Sequence, residues 1–124
     1  MYNKDFKIEF YQKDNGDIPA LVFIDSLPDK FKVKIARAID TLKEYGYEAS
    51  KQLSKKIDDH IFELRIAFNS NYARILYFYH KDRVIVITSG FIKKTNKTPR
   101  NEILIAEHYR NNWLRRYENE KEKN

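Results

Sequence analysis

The sequence predicts one α+β domain with the element order β-α-α-β-β-β-α, in which an antiparallel sheet packs against a helical hairpin and a C-terminal helix. Three observations predict this class. Apolar residues recur at three- and four-residue spacing in two segments, 29–46 and from 100 onward, and three β-rich runs lie close together between them. A chain of 124 residues has room for one domain. We place it at 1–117 and expect the charged tail 118–124 to fray.

The first strand and the helical hairpin are predicted from residues 6–46. Apolar and polar residues alternate over 6–12, which is typical of a half-buried strand. The segment 18–26 carries Pro19 where the first turn of a helix would begin. The second helix is expected to start from Asp29 as its N-cap and to end at Gly46. The stretch 47–60 is polar and irregular.

Three strands are predicted over 61–68, 72–80 and 83–91. The residues that separate them, 69–71 and 81–82, are too few for a crossover, so the strands form an antiparallel meander. The run from 84 to 87 is apolar throughout, which favours a central strand covered on both faces.

Composition narrows the function classes. The chain has no cysteine, so disulfide frameworks and thiolate metal sites are excluded. Neither a signal-peptide pattern at the N-terminus nor a long apolar run is present. We therefore expect a cytoplasmic protein that does not enter a membrane, with no metal and no cofactor.

The basic residues are concentrated in the last third of the chain. Residues 1–80 carry 13 Lys and Arg against 12 Asp and Glu, whereas residues 81–117 carry 9 against 3. Four of these cations, Lys93, Lys94, Lys97 and Arg100, follow the predicted last strand without an acid among them. A solvated basic face is one interpretation, and a site for a polyanion such as nucleic acid is the other.

Two arginines lie in predicted strands. The alternation in 61–68 places Glu63 and Arg65 on the face opposite to the main apolar face, and Arg74 stands among apolar and aromatic residues. Glu63 and Arg74 can form a cross-strand ion pair. Alternatively, Arg65, Arg74, Lys93 and Lys94 converge on one concave sheet face as a phosphate site.

Further residues are candidates for the same site. Aromatic rings among cations are typical of single-stranded RNA recognition, although such rings are also common in cores. The candidate RNA-binding residues are Lys55, Lys56, Tyr77, Tyr79, Phe91, Lys97 and Arg100. His60 is a candidate acid or base, or else an ordinary surface histidine. The spacing of the histidines indicates no metal site.

The blocks FELRI (62–66), YARILYFY (72–79) and GFIKKTNKTPRNEI (90–103) resemble the HigB-type branch of the RelE toxin superfamily, which is also represented among phage-derived proteins. The resemblance spans residues 6–114. It implies the toxin of a type II toxin–antitoxin pair that cleaves mRNA on the ribosome. It also implies a helix-turn-helix, HigA-like antitoxin as partner, with DNA contacted only through that antitoxin.

The resemblance also implies roles for individual residues. In a metal-independent reaction the ribose 2′-OH attacks the adjacent phosphorus, and a cyclic phosphate and a 5′-OH result. Arg65 and Arg74 would hold the phosphate, Lys93 or Lys94 would protonate the leaving oxygen, and Glu63 or His60 would accept the 2′ proton. Relatives often carry a His or Tyr near the C-terminus, to which no residue here is matched.

Two other interpretations remain open. A non-catalytic module would use the same basic face to bind nucleic acid or an acidic partner, with salt-sensitive binding and no strand scission. A decayed prophage toxin would keep the fold without the activity.

Overall fold

The computed structural model describes residues 5–81, 83–94 and 96–123, with side chains through residue 120. Its regular elements are strand β1 (Lys7–Phe10), helix α1 (Pro19–Asp25), helix α2 (Asp29–Tyr45), a 3₁₀ turn (Gly46–Glu48), strands β2 (Ser54–Lys56), β3 (Phe62–Phe68), β4 (Asn71–His80) and β5 (Val84–Ile92), and helix α3 (Arg100–Lys123). The predicted α+β class is confirmed. Within these residues, no helix is both long and apolar enough to cross a membrane.

The five strands form one sheet in the order β1-β5-β4-β3-β2. Strands β2 to β5 pair antiparallel with their neighbours in sequence, so the predicted meander is confirmed. The prediction of an antiparallel sheet is wrong in one respect, because β1 pairs parallel with β5. Short turns determine only the pairing of consecutive strands. Strands β1 and β5 are separated in sequence by the rest of the sheet, so no turn indicates how they pair.

The prediction missed β2, which lies in the stretch expected to be irregular. It has only three residues, two of them exposed lysines, and therefore shows no apolar alternation. The run 84–87 is covered on both faces as predicted, since Ile85 and Ile87 enter one core and Val86 the other. Strand β5 is interior, although β4 occupies the middle of the sheet.

The first core lies between the sheet and helices α1 and α2. Phe31, Ile35 and Leu42 form one buried stripe on α2 and pack in a single cluster with strand residues such as Leu64 and Ile75. Gly46 ends α2 with a φ of 53°, which is the stop predicted from the sequence. The N-cap prediction is wrong, because Pro28 precedes the helix and Asp29 is its first residue.

The second core lies between the other sheet face and α3. Ala106 of α3 is buried with Leu76, Phe78 and Val86. The helix begins at Arg100, as expected, and continues through Lys123, beyond position 117 where the sequence places the end of the packed domain. Residues 118–120 are exposed. The predicted turn at 81–82 is described only at Lys81, which has a φ of 57°, since residue 82 lies outside the described residues.

Replacement of Gly46 by alanine is expected to destabilise the fold by at least about 2 kcal/mol. The backbone there has a positive φ, and an added Cβ would overlap the ring of Phe6. Gly16→Ala is the matched control, because Gly16 also has a positive φ but its Cβ would meet only the end of Gln12. Urea unfolding gives both values, and equal losses would contradict the overlap argument.

Acid is expected to weaken the contact between β4 and α3 through His80. The indole N–H of Trp113 donates to His80 Nδ1, and burial lowers the pKa of His80. A depressed pKa means that the unfolded chain binds this proton more readily, so this contribution to stability is present above about pH 6.5 and is lost as pH falls from there through the lower pKa of the folded state.

Fluorescence of Trp113, the single tryptophan, measures this effect during urea unfolding at pH 7.5 and 5.5. His80→Gln should flatten the dependence of stability on pH. The same pH dependence in wild type and His80→Gln would disprove the assignment.

Candidate functional site

Two arginines face each other across neighbouring strands. Arg65 of β3 is the direct partner of Arg74 of β4, and Phe91 of β5 lies opposite Arg74 on the other side. All three side chains belong to the sheet face that carries α3. The helix covers the far part of this face, where Trp113 packs against Phe78. Arg74 lies toward the beginning of β4, two residues before Leu76, which is already buried with Ala106 of α3.

Glu63 holds both guanidinium groups. Its Oε2 accepts a hydrogen bond from Arg65 Nε at 3.1 Å and lies 3.1 Å from Arg65 Nη2. Its Oε1 lies 3.4 Å from Arg74 Nε and accepts a hydrogen bond from Thr98 Oγ1 at 2.6 Å. The Glu63 side chain is only 4% exposed. One buried carboxylate therefore separates and orients two like charges that would otherwise repel each other.

The two arginines differ in exposure. The side chain of Arg65 is 31% exposed, whereas that of Arg74 is 8% exposed. Burial lowers the pKa of Arg74, the charge of Glu63 opposes this shift, and Arg65 adds to it. Arginine nevertheless keeps its proton, because its ordinary pKa is so high. The pair thus offers one accessible and one recessed cation with an excess of one positive charge over Glu63.

Two adjoining cavities open around the arginines and share Asn96. The smaller, of about 440 Å³, is lined by Arg74, Tyr72 and the lysines 93 and 94. The larger, of about 700 Å³, lies between strands β2 and β3 and the segment 96–100. We call the lining of both cavities the cationic face. Its basic residues are Lys55, Lys56, Arg65, Arg74, Lys93, Lys94, Lys97 and Arg100.

Glu63 is the single acid that lines these cavities in the described part of the chain. Because both its oxygens contact arginines, little negative charge is left to offset the lysines. The arrangement is suited to a ligand with several phosphates, since arginine offers a planar fork and lysine a compact charge.

The segment after β5 is fixed over the arginines at two points. The backbone N–H of Lys93 donates to the carbonyl of Tyr72 at 2.7 Å, and Thr98 donates to Glu63. Helix α3 then begins at Arg100 and packs along the sheet. The lysines that follow the last strand therefore lie beside Arg65 and Arg74, which precede them by about 20 to 35 residues in sequence.

The structure brings together most of the residues singled out from the sequence. Glu63, Arg65, Arg74 and all six of the flanking cations line the cationic face. The predicted ion pair of Arg74 with Glu63 is present, and Arg74 also lines a cavity, while the phosphate site stays a prediction. Phe91 lies in the same row but is partly buried against the second core.

Three candidates are placed elsewhere. Tyr77 and Tyr79 pack in the first core, on the opposite sheet face, and Tyr77 is fully buried. Alternation counted from Arg74 along β4 would have shown this, because odd and even positions face opposite sides. His60 is exposed on the turn where Ile57 N–H donates to the Ile61 carbonyl, and it lines neither cavity.

The sequence assigned no role to three residues at the site, although Tyr72 is one of the aromatic rings that lie among the cations in sequence. Tyr72 lies on the cationic face with 49% of its surface exposed, and Asn96 and Thr98 line the cavities. Tyr72 lies two residues before Arg74 in the same strand, and this even spacing indicates that the two side chains share a sheet face. Asn96 and Thr98 lie within the lysine-rich segment, where nothing in their spacing indicates a contact with Glu63.

The fold and the site define a small α+β protein with a basic, arginine-paired sheet face. Residues 22–111 match the family described as "Phage derived protein Gp49-like (DUF891)", and the chain belongs to this family. The resemblance to phage-derived proteins is thus confirmed.

Among solved structures, the chain is similar to one titled "Crystal structure of archaeal RelE-RelB complex from Pyrococcus horikoshii OT3". The sequence identity is 16% and the TM-score 0.47, over 76% of this chain and 99% of that chain. No curated protein matches the chain.

Removal of the charge of Glu63 is expected to destabilise the protein. Glu63→Gln keeps the shape but leaves two buried or half-buried guanidinium groups without their counterion, so we expect a loss of about 3 kcal/mol. The control is Asp29→Asn, which removes a carboxylate from an exposed ion pair with Lys32 and should change stability little. Urea unfolding at pH 7 measures both, and similar losses would argue against a special role for Glu63.

Proposed function

We propose that this protein is the toxin of a type II toxin–antitoxin pair, of the HigB type, and that it cleaves mRNA on the ribosome without a metal ion. The observation that carries the proposal is the Arg65–Glu63–Arg74 arrangement, whose arginines line two adjoining cavities that are both rich in lysines. Membership of the Gp49-like family supports it. The proposed site of action is the cytoplasm.

In the proposed reaction, the arginine pair binds the scissile phosphate. Arg65 and Arg74 donate to its non-bridging oxygens, which gain negative charge as the ribose 2′-OH attacks phosphorus. Cations held in place before the reaction stabilise such a transition state more than the ground state. Glu63 keeps the two forks at a fixed separation, so it acts as a positioning residue.

We propose a different acid and base from those that the sequence resemblance implies. Both Glu63 oxygens already contact arginine or threonine, so we assign this carboxylate to positioning rather than to proton transfer. His60 lines neither cavity. We therefore propose that solvent water, not a protein side chain, takes the 2′ proton as the 2′-O–P bond forms and the P–O5′ bond breaks, and we assign most of the catalysis to charge stabilisation. Lys93 lines the same cavity as Arg74 and can protonate the leaving 5′ oxygen, with Lys94 beside it.

We further propose that the cationic face is neutralised by an antitoxin. A helix-turn-helix protein of the HigA type is the partner that the sequence resemblance implies. An acidic surface on that partner would match the excess of cations over Glu63 and would exclude RNA from the arginines.

The second candidate function is a binding module without catalysis. It is favoured by one observation: Glu63 is fully engaged, and no other carboxylate or imidazole lines the two cavities within the described residues. Such a module would bind RNA with strong salt dependence and leave it intact.

Loss of Arg74 is expected to abolish cleavage. Arg74→Ala should lower the cleavage rate about 100-fold or more, because one fixed cation at the phosphate is lost. The Lys93→Ala/Lys94→Ala double variant should also slow cleavage. Primer extension on a reporter mRNA in a reconstituted translation system, with and without ribosomes, measures the rate.

Arg37→Ala is the matched control. Arg37 is an exposed arginine of α2 that lines neither cavity, so its loss should leave the rate unchanged. Cuts that require ribosomes and disappear only in the site variants would support the proposal. Equal cleavage by Arg74→Ala would refute the phosphate-binding role, and intact mRNA with retained RNA binding would favour the binding module.

A further inference from the structure

A third cavity, of about 500 Å³, opens on the opposite face of the sheet beside the 3₁₀ turn. Its walls include the rings of Tyr47, Phe62, Tyr77 and Tyr79. We call it the aromatic pocket. None of these rings takes part in the reaction proposed above, although Tyr77 and Tyr79 were singled out from the sequence as RNA-binding residues.

The rings form an incomplete stack. Tyr47 stacks on Tyr79 with centroids 3.8 Å apart and planes 21° apart, and Phe62 meets Tyr79 edge-on at 5.0 Å. Tyr47 is 62% exposed although it is a large aromatic residue. A flat aromatic ligand can extend this stack, because bases and tyrosine rings gain dispersion and desolvation energy when they stack.

The pocket also contains a polar group that the protein leaves unsatisfied. Tyr79 Oη is buried and has no hydrogen-bond partner in the described part of the chain, whereas Tyr77 Oη is paired with the hydroxyl of Ser54. Burial raises the pKa of Tyr79, so its hydroxyl keeps the proton and can donate as well as accept. A buried hydroxyl without a partner is costly, so the protein alone does not fully satisfy the wall of this pocket.

The charges at the pocket favour an anionic ligand. Lys51, Lys55 and Lys56 line it and are exposed, and no acid lines it in the described part of the chain. Three basic residues, Lys55, Lys56 and Arg65, line both this pocket and the larger cavity of the cationic face. A basic path therefore runs from the arginine pair across the edge strand β2 into the aromatic pocket.

We propose that the aromatic pocket binds a base of single-stranded RNA whose backbone continues from the cationic face over β2. The proposal extends the function proposed above by assigning a second contact to the same RNA. The base stacks on the exposed ring of Tyr47, which is itself stacked on Tyr79, and lysines of the rim contact the flanking phosphates. The volume of the pocket is in the range of small-ligand sites.

The test uses a short fluorescein-labelled oligoribonucleotide with 2′-O-methyl groups, which lacks the attacking hydroxyl and stays intact. Fluorescence anisotropy gives its affinity for wild type, Tyr47→Leu and Tyr45→Leu. We expect Tyr47→Leu to weaken binding at least about fivefold, through loss of one stacking partner. Tyr45→Leu should bind as wild type does, since Tyr45 is a similarly exposed tyrosine two residues away that lines none of the three cavities.

A cross-linking measurement on the wild type makes the result independent of any folding defect in the variants. An oligonucleotide that contains 4-thiouridine is irradiated in the complex, and the attached residue is identified by mass spectrometry. Attachment to Tyr47, Phe62 or Tyr79 supports the pocket. Attachment only to residues of the cationic face, such as Tyr72, overturns it, as does an affinity that is the same in wild type and Tyr47→Leu.

Failure of the pocket is distinguishable from failure of the nuclease. If wild type cleaves mRNA while Tyr47→Leu binds RNA normally, the pocket proposal falls and the nuclease stands. If binding depends on Tyr47 but wild type cleaves nothing, the nuclease falls and the pocket stands. If the oligonucleotide does not bind and only a purified antitoxin contacts Tyr47, the pocket serves a protein and the proposal is overturned.

Discussion

The buried contact of Glu63 with two arginines is the constraint on which the cationic face depends. Arg65 and Arg74 are cross-strand neighbours, an arrangement that costs energy for like charges unless a counterion lies between them. Glu63 provides that counterion from the same strand as Arg65, two residues earlier, and therefore on the same face. It also accepts a hydrogen bond from Thr98, so one carboxylate connects the sheet with the segment that carries the lysines.

This contact links stability to function in a particular way. Burial of three charged groups usually contributes little net stability, and apolar residues of similar size would hold the strands together at least as well. The charged arrangement instead keeps two guanidinium forks in fixed orientations beside an open cavity. In the proposed function, this order exists before RNA arrives, so the ligand does not have to organise the site.

The extent to which sequence predicted the structure follows from the range of the interactions involved. Local patterns were sufficient for α2, whose apolar stripe ends at Gly46, and for the meander of β3, β4 and β5 with its short turns. The parallel position of β1 was not predictable in this way, because it depends on a strand more than 70 residues away. Strand β2 pairs with β3 at the sheet edge through its backbone, and two of its three residues are exposed lysines. It therefore carries no apolar pattern from which it could have been predicted.

The site shows the same division. Two features of the sequence were enough to select most residues of the cationic face. These are the basic cluster after β5 and the presence of a charged residue, Arg74, in an otherwise apolar strand. The role of Glu63 depends on the contacts that its two carboxylate oxygens already make. The role of His60 depends on the direction of the turn that carries it. Neither fact can be derived from composition. Two of the three aromatic candidates, Tyr77 and Tyr79, lie on the face opposite to Arg74, because strand alternation and not proximity in sequence determines the face.

The small size of β2 has a consequence for the behaviour of the protein at high concentration. A sheet edge presents unpaired backbone groups to which another chain can add a strand, and long apolar edges therefore promote aggregation. Here the edge is three residues long and presents two exposed lysines, so a second molecule would meet positive charge before it could pair. The same lysines that would attract an RNA backbone thus discourage self-association and help to keep the sheet at five strands.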